Sequence, residues 1–441
     1  MSDRSWSIFE AYVGKLMKQE SIAGAAVAVS QHGEIIYQKG FGVRDIETKD
    51  PVTPDTIFGT ASVTKSFTAL AIMQLADEGK LSLDDPVIRY IPEFKLHGLE
   101  DTASVKIHHL LSHTTGLPPM RRNEVLNRLN DHPAYMASES YELLGKPGQY
   151  FSYCNDTFLL LGTIIEQLTG RLYRRYMTER ILERLHMHRS TFSFEELAKY
   201  DRVSIPYVKN SETGVLEEVP WPMLGNYEVG GGIRSNVLDL LKYGQCYVDG
   251  GMVQGRSIVS QDAIHNMWKP VHRVGRNTFY GYALRITPDY SGVSLVEHGG
   301  AQPGVSSHFG FVPEEGLVAV VLTNVANVPA NDMWLAAVNT ALGFPLEQKS
   351  SIEPHAQASL EHLQSFVGTY RSAEGGCVSI FLDDQKPKAE IDGKVFTLRA
   401  STDSTLVIEN KEYPIRFFFK DGPKAWAAFY GSRMLTRVKP D

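Results

Sequence analysis

The stretch FGTASVTKSFTALAIMQLADEGKLSL, residues 58–83, places a serine and a lysine three positions apart where an apolar helical pattern begins. Apolar side chains recur at helical spacing from Val63 onward, and Gly79 is a typical helix stop. The helix is therefore predicted to start close to Ser62. Because residues i and i+3 share one face of a helix, the side chains of Ser62 and Lys65 are predicted to lie side by side.

The spacing of Ser62 and Lys65 indicates nucleophilic chemistry. A hydroxyl in the first turn lies at the positive end of the helix dipole, where negative charge developing on its oxygen is favoured. The dipole field and burial disfavour the ammonium form of the lysine, and moving its pKa to neutrality takes roughly 3 units, or about 4 kcal/mol. A neutral Lys65 could accept the proton of Ser62. A chain of this length contains about one or two Ser-x-x-Lys strings by chance, so the string alone does not establish this chemistry.

Length and composition place the chain among globular proteins. Its 441 residues exceed the roughly 250–300 at which one hydrophobic core stops growing, so two folded units are predicted. Hydrophobic residues make up 43% and charged residues 22%, unlike a disordered chain. A net charge of −7 without a basic stripe argues against nucleic acid as a partner. The three cysteines form no CxxC pair, so neither a disulfide framework nor a zinc site is predicted.

The N-terminal sequence bears on where the protein is found. Residues 1–20, MSDRSWSIFEAYVGKLMKQE, mix acids and bases at helical spacing and lack the apolar core of a secretory signal. We therefore expect a cytoplasmic protein, or a periplasmic or cell-surface protein if a leader has been removed. The longest apolar run, near residue 316, is too short for a membrane span and is predicted to be a buried strand.

The order of helical and strand patterns predicts an α/β (α+β) fold. Residues 4–20 have an amphipathic helical pattern, and a hairpin pattern with its turn at residues 31–33 follows. Helical patterns dominate from about residue 60 to 270, and strand patterns return up to residue 324. A sheet built from the first and last parts of the domain is therefore predicted, with a helical block inserted between them. The sheet is expected to be mostly antiparallel because its strands come in hairpins.

The pattern changes after residue 345. Residues 346–359 follow Pro345, are polar, contain Pro354 and show no apolar period, which predicts a linker. Residues 360–441 contain short alternating runs separated by turn residues, typical of a small antiparallel β-barrel or sandwich. Three segments are thus predicted: a large domain over residues 1–345, the linker, and a small barrel domain over residues 360–441.

Two further short strings carry polar groups. Tyr153 and Asn155 lie just before a predicted helix and offer a phenol and an amide side by side; a tyrosine near a cation can ionise more readily and serve as a base or proton shuttle. A buried tyrosine beside a turn asparagine is the alternative interpretation. His298, Gly299 and Gly300 follow a strand pattern. Glycines there would let a ligand backbone approach the strand edge, although a simple turn is the ordinary interpretation of this string taken alone.

Together, the strings Ser-x-x-Lys, Tyr-x-Asn and His-Gly-Gly, in this order, resemble those of the penicillin-recognising serine hydrolases. The resemblance is to the class C β-lactamase-like branch, which includes penicillin-binding protein 4-like proteins, D-aminopeptidases and family VIII esterases. The segments HHLLSHTTGLPP, EVGGGIRSNVLDLLKYG and HGGAQPGVSSHFGFVPEEGLVAVVLTN also resemble that branch, and the similarity extends over about residues 8–345. The C-terminal part, with its FVGTY string, is similar to the lipocalin-like barrels appended to some members.

The resemblance implies a fold and a set of catalytic roles. It implies a β-lactamase/transpeptidase-like fold, in which an antiparallel sheet is flanked by helices and carries a helical subdomain. Ser62 would be the acylated nucleophile and Lys65 would activate it. Tyr153 would exchange protons with the hydroxyl and the leaving group. His298 would occupy the catalytic position where most relatives carry the lysine of Lys-Thr-Gly.

The resemblance also implies how substrate is held. Asn155 would hold the substrate amide or acyl chain, beside the strand that contains Gly299 and Gly300. The backbone N–H groups of Ser62 and Ala301 would form an oxyanion hole, and removing one such donor typically costs about 100–1000-fold in rate.

The histidine in place of lysine bears on the substrate. A lysine would supply a permanent positive charge for the carboxylate of a penicillin, whereas histidine is largely neutral at pH 7. We therefore predict acyl transfer on a small-molecule ester, an amide or a short peptide with D-residues. The alternative is a penicillin-binding protein or sensor that is acylated but turns over little, because acylation and hydrolysis are separate steps. The barrel is predicted to cover one side of the pocket or to mediate assembly of a homo-oligomer, and nothing in its sequence predicts chemistry.

Three other constellations could carry chemistry. His109 and His113 have the spacing of a metal-binding helix, but the glutamate of the zinc-protease signature is missing. Cys154 could be a nucleophile, yet no cysteine-hydrolase signature surrounds it. The glycines of GGGIRS, residues 230–235, lack the ending of a phosphate-binding loop. No metal and no cofactor are therefore predicted.

Overall fold

The computed structural model describes residues 3–420 and 422–438, and the ends of the two predicted domains, at residues 1–2 and 439–441, lie outside it. The described residues contain 12 α-helices: α1 (Asp3–Glu20), α2 (Thr64–Asp77), α3 (Ile107–Leu111), α4 (His132–Ser138), α5 (Asn155–Thr169), α6 (Tyr173–Met177), α7 (Phe194–Leu197), α8 (Glu228–Gly231), α9 (Val237–Val248), α10 (Gln261–Asn266), α11 (Ala330–Leu342) and α12 (Leu360–Phe366).

The strands of the described residues form one eight-stranded sheet, one closed barrel and three small two-stranded sheets. The first part of the chain contributes β1 (Gly24–Gln31), β2 (Glu34–Gly42), β3 (Phe58–Gly59), β4 (Tyr207–Lys209), β5 (Leu216–Glu218), β6 (Arg234–Ser235), β7 (Met252–Val253), β8 (Arg256–Ser257), β9 (His272–Arg273), β10 (Phe279–Tyr280), β11 (Arg285–Tyr290), β12 (Val293–Gln302), β13 (Val305–Val312) and β14 (Leu317–Thr323). The C-terminal part contributes β15 (Gly368–Arg371), β16 (Cys377–Asp383), β17 (Lys386–Ile391), β18 (Lys394–Thr402), β19 (Thr405–Ile408), β20 (Tyr413–Phe418), β21 (Ala427–Tyr430) and β22 (Arg433–Arg437).

Eight strands form one antiparallel sheet in the order β2-β1-β14-β13-β12-β11-β10-β9. The first strands pair with the last, because β1 lies against β14, and most of the helical residues are inserted between them. The predicted α/β class with a mostly antiparallel sheet and an inserted helical block is confirmed. This arrangement brings β12, from late in the chain, next to the start of α2.

The sheet is buried on both faces, as its sequence pattern requires. Alternate residues of β1 point to opposite sides: Val27 lies in a core formed with α1 and α11, and Ala28 lies in a larger core formed with α2, α5 and α9. Strand β14 is buried at every residue for the same reason. The sheet is therefore a fixed support between two layers of helices.

Helix α2 is buried over residues 64–75, which is almost its whole length. A helix with apolar residues on every side is expected in the interior of a large protein. The regular helix begins at Thr64, and the preceding Ser62 lies in a single 3₁₀ turn, Ala61–Val63. The predicted helix start is thus displaced by one tight turn, which sets the serine at the helix tip.

The C-terminal strands β15 to β22 close into a barrel around their own apolar core. Closure leaves no unpaired edge strand, so every strand of the barrel has two neighbours. Residues 346–359 contain no helix or strand, but Arg399 of the barrel donates to the carbonyls of Glu353 and Pro354. Within the described residues, no helix has the length and apolar character needed to cross a membrane.

Candidate active site

Ser62 lies in the tight turn that connects β3 to α2. The preceding Ala61 has a φ of +46°, in the left-handed region that residues with a side chain rarely adopt. The turn is fixed from behind, since Thr60 donates its backbone N–H to the carbonyl of Ile233 at 3.0 Å. Such local strain is typical of functional sites. The turn leaves the partly exposed Ser62 on the wall of a cavity.

Lys65 lies beside the serine on the same side of the helix. Its Nζ is 3.3 Å from Ser62 Oγ and 3.0 Å from the carbonyl oxygen of Gly230. The side chain is 1% exposed, and burial, followed by repulsion from Arg433 and Arg122, lowers the pKa of the Lys65 amine to about 7. A large fraction of the amine is therefore neutral near pH 7. The lone pair of the neutral amine lies within reach of the Ser62 hydroxyl.

Tyr153 lies near both Lys65 and His298, with its ring centroid 6.2 Å from that of His298. Lys65 Nζ is 5.0 Å from the centroid of the Tyr153 ring, and the buried Tyr153 hydroxyl has no hydrogen-bond partner of standard geometry among the described residues. Burial raises the pKa of Tyr153 to about 12, although the neighbouring Ser62 hydroxyl acts in the opposite direction. Arg433 and Arg285 also lower the pKa of Tyr153, as expected of nearby cations, but burial outweighs them. Tyr153 is a neutral phenol near pH 7.

Strand β12 forms the wall facing the tyrosine. Its pairing with β11 ends at Glu297, so the edge of the strand from His298 onward is not covered by β11. The nearby turn that carries Ser62 approaches this part of the strand very closely. A Cβ on Gly300 would lie 2.4 Å from Ser307 Oγ and 3.0 Å from the backbone nitrogen of Ser62. Glycine is therefore required at this position to bring the strand against the turn that carries Ser62.

His298 is held in one protonation state by its neighbours. Its Nδ1 lies 2.6 Å from the carbonyl oxygen of Gly299, and its Nε2 lies 3.1 Å from the hydroxyl of Tyr280. A carbonyl only accepts, so Nδ1 carries the proton and Nε2 accepts from Tyr280. Burial and the charge of Lys65 lower the pKa of His298 to about 3. The imidazole is thus neutral, and both of its nitrogens are already engaged.

The side-chain amide of Asn155 is bound to a residue of the barrel. Its Nδ2 donates to Glu374 Oε1 at 3.0 Å. Glu374 lies in the turn between β15 and β16 of the barrel, and its Oε2 accepts from Arg433 Nε at 2.7 Å. Sequence reasoning missed Glu374 and Arg433, since no local pattern distinguishes them from other charged residues in barrel turns.

These residues surround a cavity of about 400 Å³. All the predicted site residues except Lys65 and Asn155 line it: Ser62, Tyr153, His298, Gly299, Gly300 and Ala301. Lys65 is buried behind the serine, and Asn155 lies behind the barrel turn.

The cavity also contains charges that sequence reasoning did not find. Glu297 Oε2 lies 2.9 Å from His308 Nε2, and Glu297 Oε1 lies 3.7 Å from Arg285 Nε. His308 and Arg285 hold the pKa of Glu297 at about 2, despite its burial. Each arginine of the cavity, Arg285 and Arg433, is thus accompanied by a carboxylate.

The competing chemistries find no support in the geometry. No group of His, Cys, Asp and Glu residues that could hold a metal ion occurs in the part of the chain that the structure describes. His109 and His113 each use Nδ1 to accept a backbone N–H, at 3.0 and 3.3 Å. Burial raises the pKa of the Cys154 thiol to about 12, so it is not a thiolate near pH 7.

Comparison with known proteins identifies similar sequences. The Beta-lactamase family profile matches residues 9–342. Protein flp of Staphylococcus aureus (strain N315) is 36% identical over 208 residues, which is 46% of this chain and 41% of that protein. The chain thus spans less than half the length of that relative. Penicillin-binding protein 4 of Amycolatopsis lactamdurans is 29% identical over 381 residues, which cover 82% of this chain and 96% of the relative.

Solved structures share the whole fold. The octameric penicillin-binding protein homologue from Pyrococcus abyssi superposes with a TM-score of 0.73 and 29% identity, covering 98% of each chain. SurE superposes with a TM-score of 0.76 over 99% of each chain, but at 21% identity it shows the fold alone. The shared architecture therefore includes the C-terminal barrel.

Proposed function

The chain belongs to the beta-lactamase family, and on that basis we propose that it is a serine hydrolase that acts through an acyl-enzyme. Its substrates would be esters or small amides, including short peptides with D-residues. One observation carries the proposal: a fully buried Lys65, with an amine pKa of about 7, lies 3.3 Å from the hydroxyl of Ser62. A lysine with this pKa is matched to accept a proton at neutral pH.

The acylation step follows from the positions of the side chains. The neutral Lys65 amine takes the proton of Ser62, and the serine oxygen attacks the substrate carbonyl carbon. The carbonyl electron pair moves onto oxygen, which the N–H groups of Ser62 and Ala301 would stabilise. Collapse of this intermediate breaks the bond to the leaving group, which takes a proton from the neutral phenol of Tyr153. Tyr153 regains its proton from the ammonium of Lys65.

Deacylation repeats these steps with water as the nucleophile. Tyr153 and Lys65 together accept one proton of the water, whose oxygen attacks the acyl carbon. The second tetrahedral intermediate releases the carboxylic acid and returns the proton to Ser62. Because Lys65 must start neutral, we expect kcat/KM to rise with pH through an acid limb near pH 7.

The charges around the cavity favour esters and small amides over penicillins. His298 is neutral, so β12 provides no permanent cation for a penicillin carboxylate. Arg433 and Arg285 do carry charge, but Glu374 and Glu297 respectively lie beside them. A ligand with one net negative charge would therefore contact arginines whose charge is already offset by a neighbouring carboxylate.

A second candidate function is acylation with little turnover. It is favoured by the relative named penicillin-binding protein 4, which matches 82% of this chain. In that case a β-lactam would give one equivalent of product in a burst and then no steady rate.

The test is a substrate panel with the Ser62→Ala variant as control. We expect steady hydrolysis of p-nitrophenyl acetate or butyrate, absent in the variant. Comparing D-alanyl and L-alanyl p-nitroanilides would rank the amide substrates, and a chromogenic cephalosporin would test β-lactam turnover. A burst without steady hydrolysis on every substrate would favour the second candidate. Equal rates in the wild type and in Ser62→Ala would contradict both.

We also propose that the protein forms a homo-oligomer. The support is the Pyrococcus abyssi homologue, described as octameric, which is 29% identical and aligns with 98% of this chain. Light scattering coupled to size-exclusion chromatography measures the mass directly. A monomeric mass at micromolar concentration would contradict the proposal.

A further inference from the structure

The barrel reaches the catalytic centre through the hairpin that joins β21 to β22. Its two turn residues, Gly431 and Ser432, have φ angles of +57° and +65°. Left-handed backbone at both positions is the mark of a type I′ turn, which suits the twist of a tight hairpin. The carbonyl oxygen of Ser432 accepts the backbone N–H of Tyr153 at 2.9 Å, and its hydroxyl accepts from Arg285 at 2.8 Å. The hairpin tip is thus fixed beside the catalytic tyrosine.

Arg433 follows directly after this turn. Its guanidinium carbon lies 5.0 Å from the centroid of the Tyr153 ring, and its Nε donates to Glu374. Glu374 in turn accepts from Asn155, so one carboxylate joins the arginine to the predicted substrate-binding amide. The barrel therefore touches both the proton-transferring tyrosine and the neighbouring asparagine with charged side chains.

We propose that Arg433 and Glu374 are positioning residues of the catalytic centre, supplied by the barrel, that orient Tyr153 and Asn155 and set the local field at Lys65. The inference rests on the proposed serine hydrolase function. Arg433 supplies a fixed positive charge near Tyr153, whereas His298 is neutral. The carboxylate of Glu374 partly offsets the charge of Arg433. The catalytic centre is therefore incomplete without the barrel.

The two charges act on the Lys65 amine with opposite sign. Arg433 lowers the pKa of Lys65 by repelling the ammonium form, together with Arg122, and Glu374 raises it by attraction. The other titratable groups around the amine are uncharged near pH 7. Burial raises the pKa of the Cys154 thiol to about 12, so the thiol is protonated and neutral. Burial lowers the pKa values of the His113 and His298 imidazoles well below neutrality, so both rings are neutral as well. The field at Lys65 is thus set mainly by three side chains, two of them from the barrel.

The experiment compares pH profiles of kcat/KM for Arg433→Met and Glu374→Gln in the full chain. Removing the positive charge should move the acid limb to higher pH, and removing the negative charge should move it to lower pH. A displacement of about one pH unit would lower or raise kcat/KM on the limb about ten-fold. Glu374→Gln keeps one oxygen that can accept from Asn155 but loses the second acceptor, which binds Arg433 Nε, so its effect combines the loss of the charge with the loss of that hydrogen bond.

Three controls separate positioning from folding. Arg433→Lys keeps the charge and should keep the limb near its wild-type position. The double variant Arg433→Met, Glu374→Gln should return the limb toward the wild-type pH. Arg371→Met removes an exposed barrel arginine and should leave the profile unchanged. Thermal unfolding of each variant identifies any that fail to fold.

The outcomes distinguish this inference from the proposed function. The inference is supported if the acid side of the kcat/KM profile moves to higher pH in Arg433→Met and to lower pH in Glu374→Gln. Equal loss of kcat/KM at every pH in both variants, or limbs that stay in place in folded protein, would overturn it while Ser62→Ala still abolished activity. If Ser62→Ala retained full activity, the proposed function would fail first.

Discussion

At the scale of single residues, Gly300 sets how closely β12 approaches Ser62. Gly300 lies opposite Ser307 in the β12–β13 pair and next to the turn that carries Ser62. Any side chain here would have to displace backbone as well as a hydroxyl, since the carbonyl of Thr60 would also lie 2.4 Å from its Cβ. The glycine thus serves close approach rather than a turn.

We expect Gly300→Ala to lower kcat/KM by about 100-fold or more, because the added carbon separates the strand from the Ser62 N–H that would form half of the oxyanion hole. Gly299→Ala is the matched control. Its Cβ would contact the His308 ring at 3.2 Å and the Ser307 carbonyl oxygen at 3.7 Å but not the turn that carries Ser62, so we expect a smaller loss from this cavity-lining position. Ester hydrolysis measured on both variants checks this, with circular dichroism to confirm folding. Equal losses in the two variants would contradict the role assigned to Gly300.

Local patterns predicted most of the site because they encode local structure. The helical period after Ser62 and the glycines after His298 drew attention to these residues, the family resemblance assigned them to one site, and both segments line the same cavity. Glu374 and Arg433 could not be found in this way, since 219 residues separate Glu374 from Asn155 and 59 separate it from Arg433. The high pKa of Tyr153 was also missed, because burial is a property of the folded chain.

At the scale of elements, the β21–β22 hairpin carries the barrel's contribution to the site. Its type I′ turn depends on left-handed backbone at Gly431. The turn between β17 and β18 has the same character, with Gly393 at a φ of +73° and Asp392 at +51°. A Cβ added to Gly431 or to Gly393 would meet no atom within 4 Å, so the two glycines differ mainly in what their hairpins touch.

Gly431→Val and Gly393→Val should therefore destabilise the protein equally but affect activity differently. A β-branched residue in left-handed backbone costs about 1–2 kcal/mol. We expect both variants to lose that amount in the free energy of unfolding, measured by urea denaturation. Only Gly431→Val should lower kcat/KM, because its turn holds the backbone of Tyr153. Unchanged kinetics in Gly431→Val would show that the hairpin tip does not position the site.

At the scale of the whole molecule, apolar side chains join the barrel to the sheet-bearing part of the chain. Met434 and Ala427 of the barrel form a buried cluster with Leu144, and Phe429 contacts the cluster around Phe151. The connecting segment is fixed to the barrel by Arg399 as well. We propose residues 346–359 as the boundary between the two domains. The barrel packs against the larger domain and is not merely connected to it by this segment.

We expect the wild type to unfold in a single calorimetric transition, because buried apolar clusters and backbone hydrogen bonds both join the barrel to the rest of the chain. Met434→Ala removes a side chain that is 1% exposed, and such truncations cost about 2–5 kcal/mol. The barrel should then melt first, and activity should be lost with the earlier transition. Leu398→Ala, inside the barrel core and away from the interface, is the control that destabilises the barrel without weakening docking directly. Retention of activity above the first transition would contradict the dependence of the site on the barrel.

The most direct test of the central claim is covalent labelling of the nucleophile. The protein is treated with a fluorophosphonate at pH 8, digested with trypsin and analysed by mass spectrometry. Cleavage after Lys49 and Lys65 gives a peptide of residues 50–65, in which Ser62 is the only serine, and places Ser66 in the next peptide. We predict one equivalent of label on Ser62, no label in Ser62→Ala and unchanged labelling in Ser66→Ala. Label on another residue of the wild type, or labelling that persists in Ser62→Ala, would contradict the account.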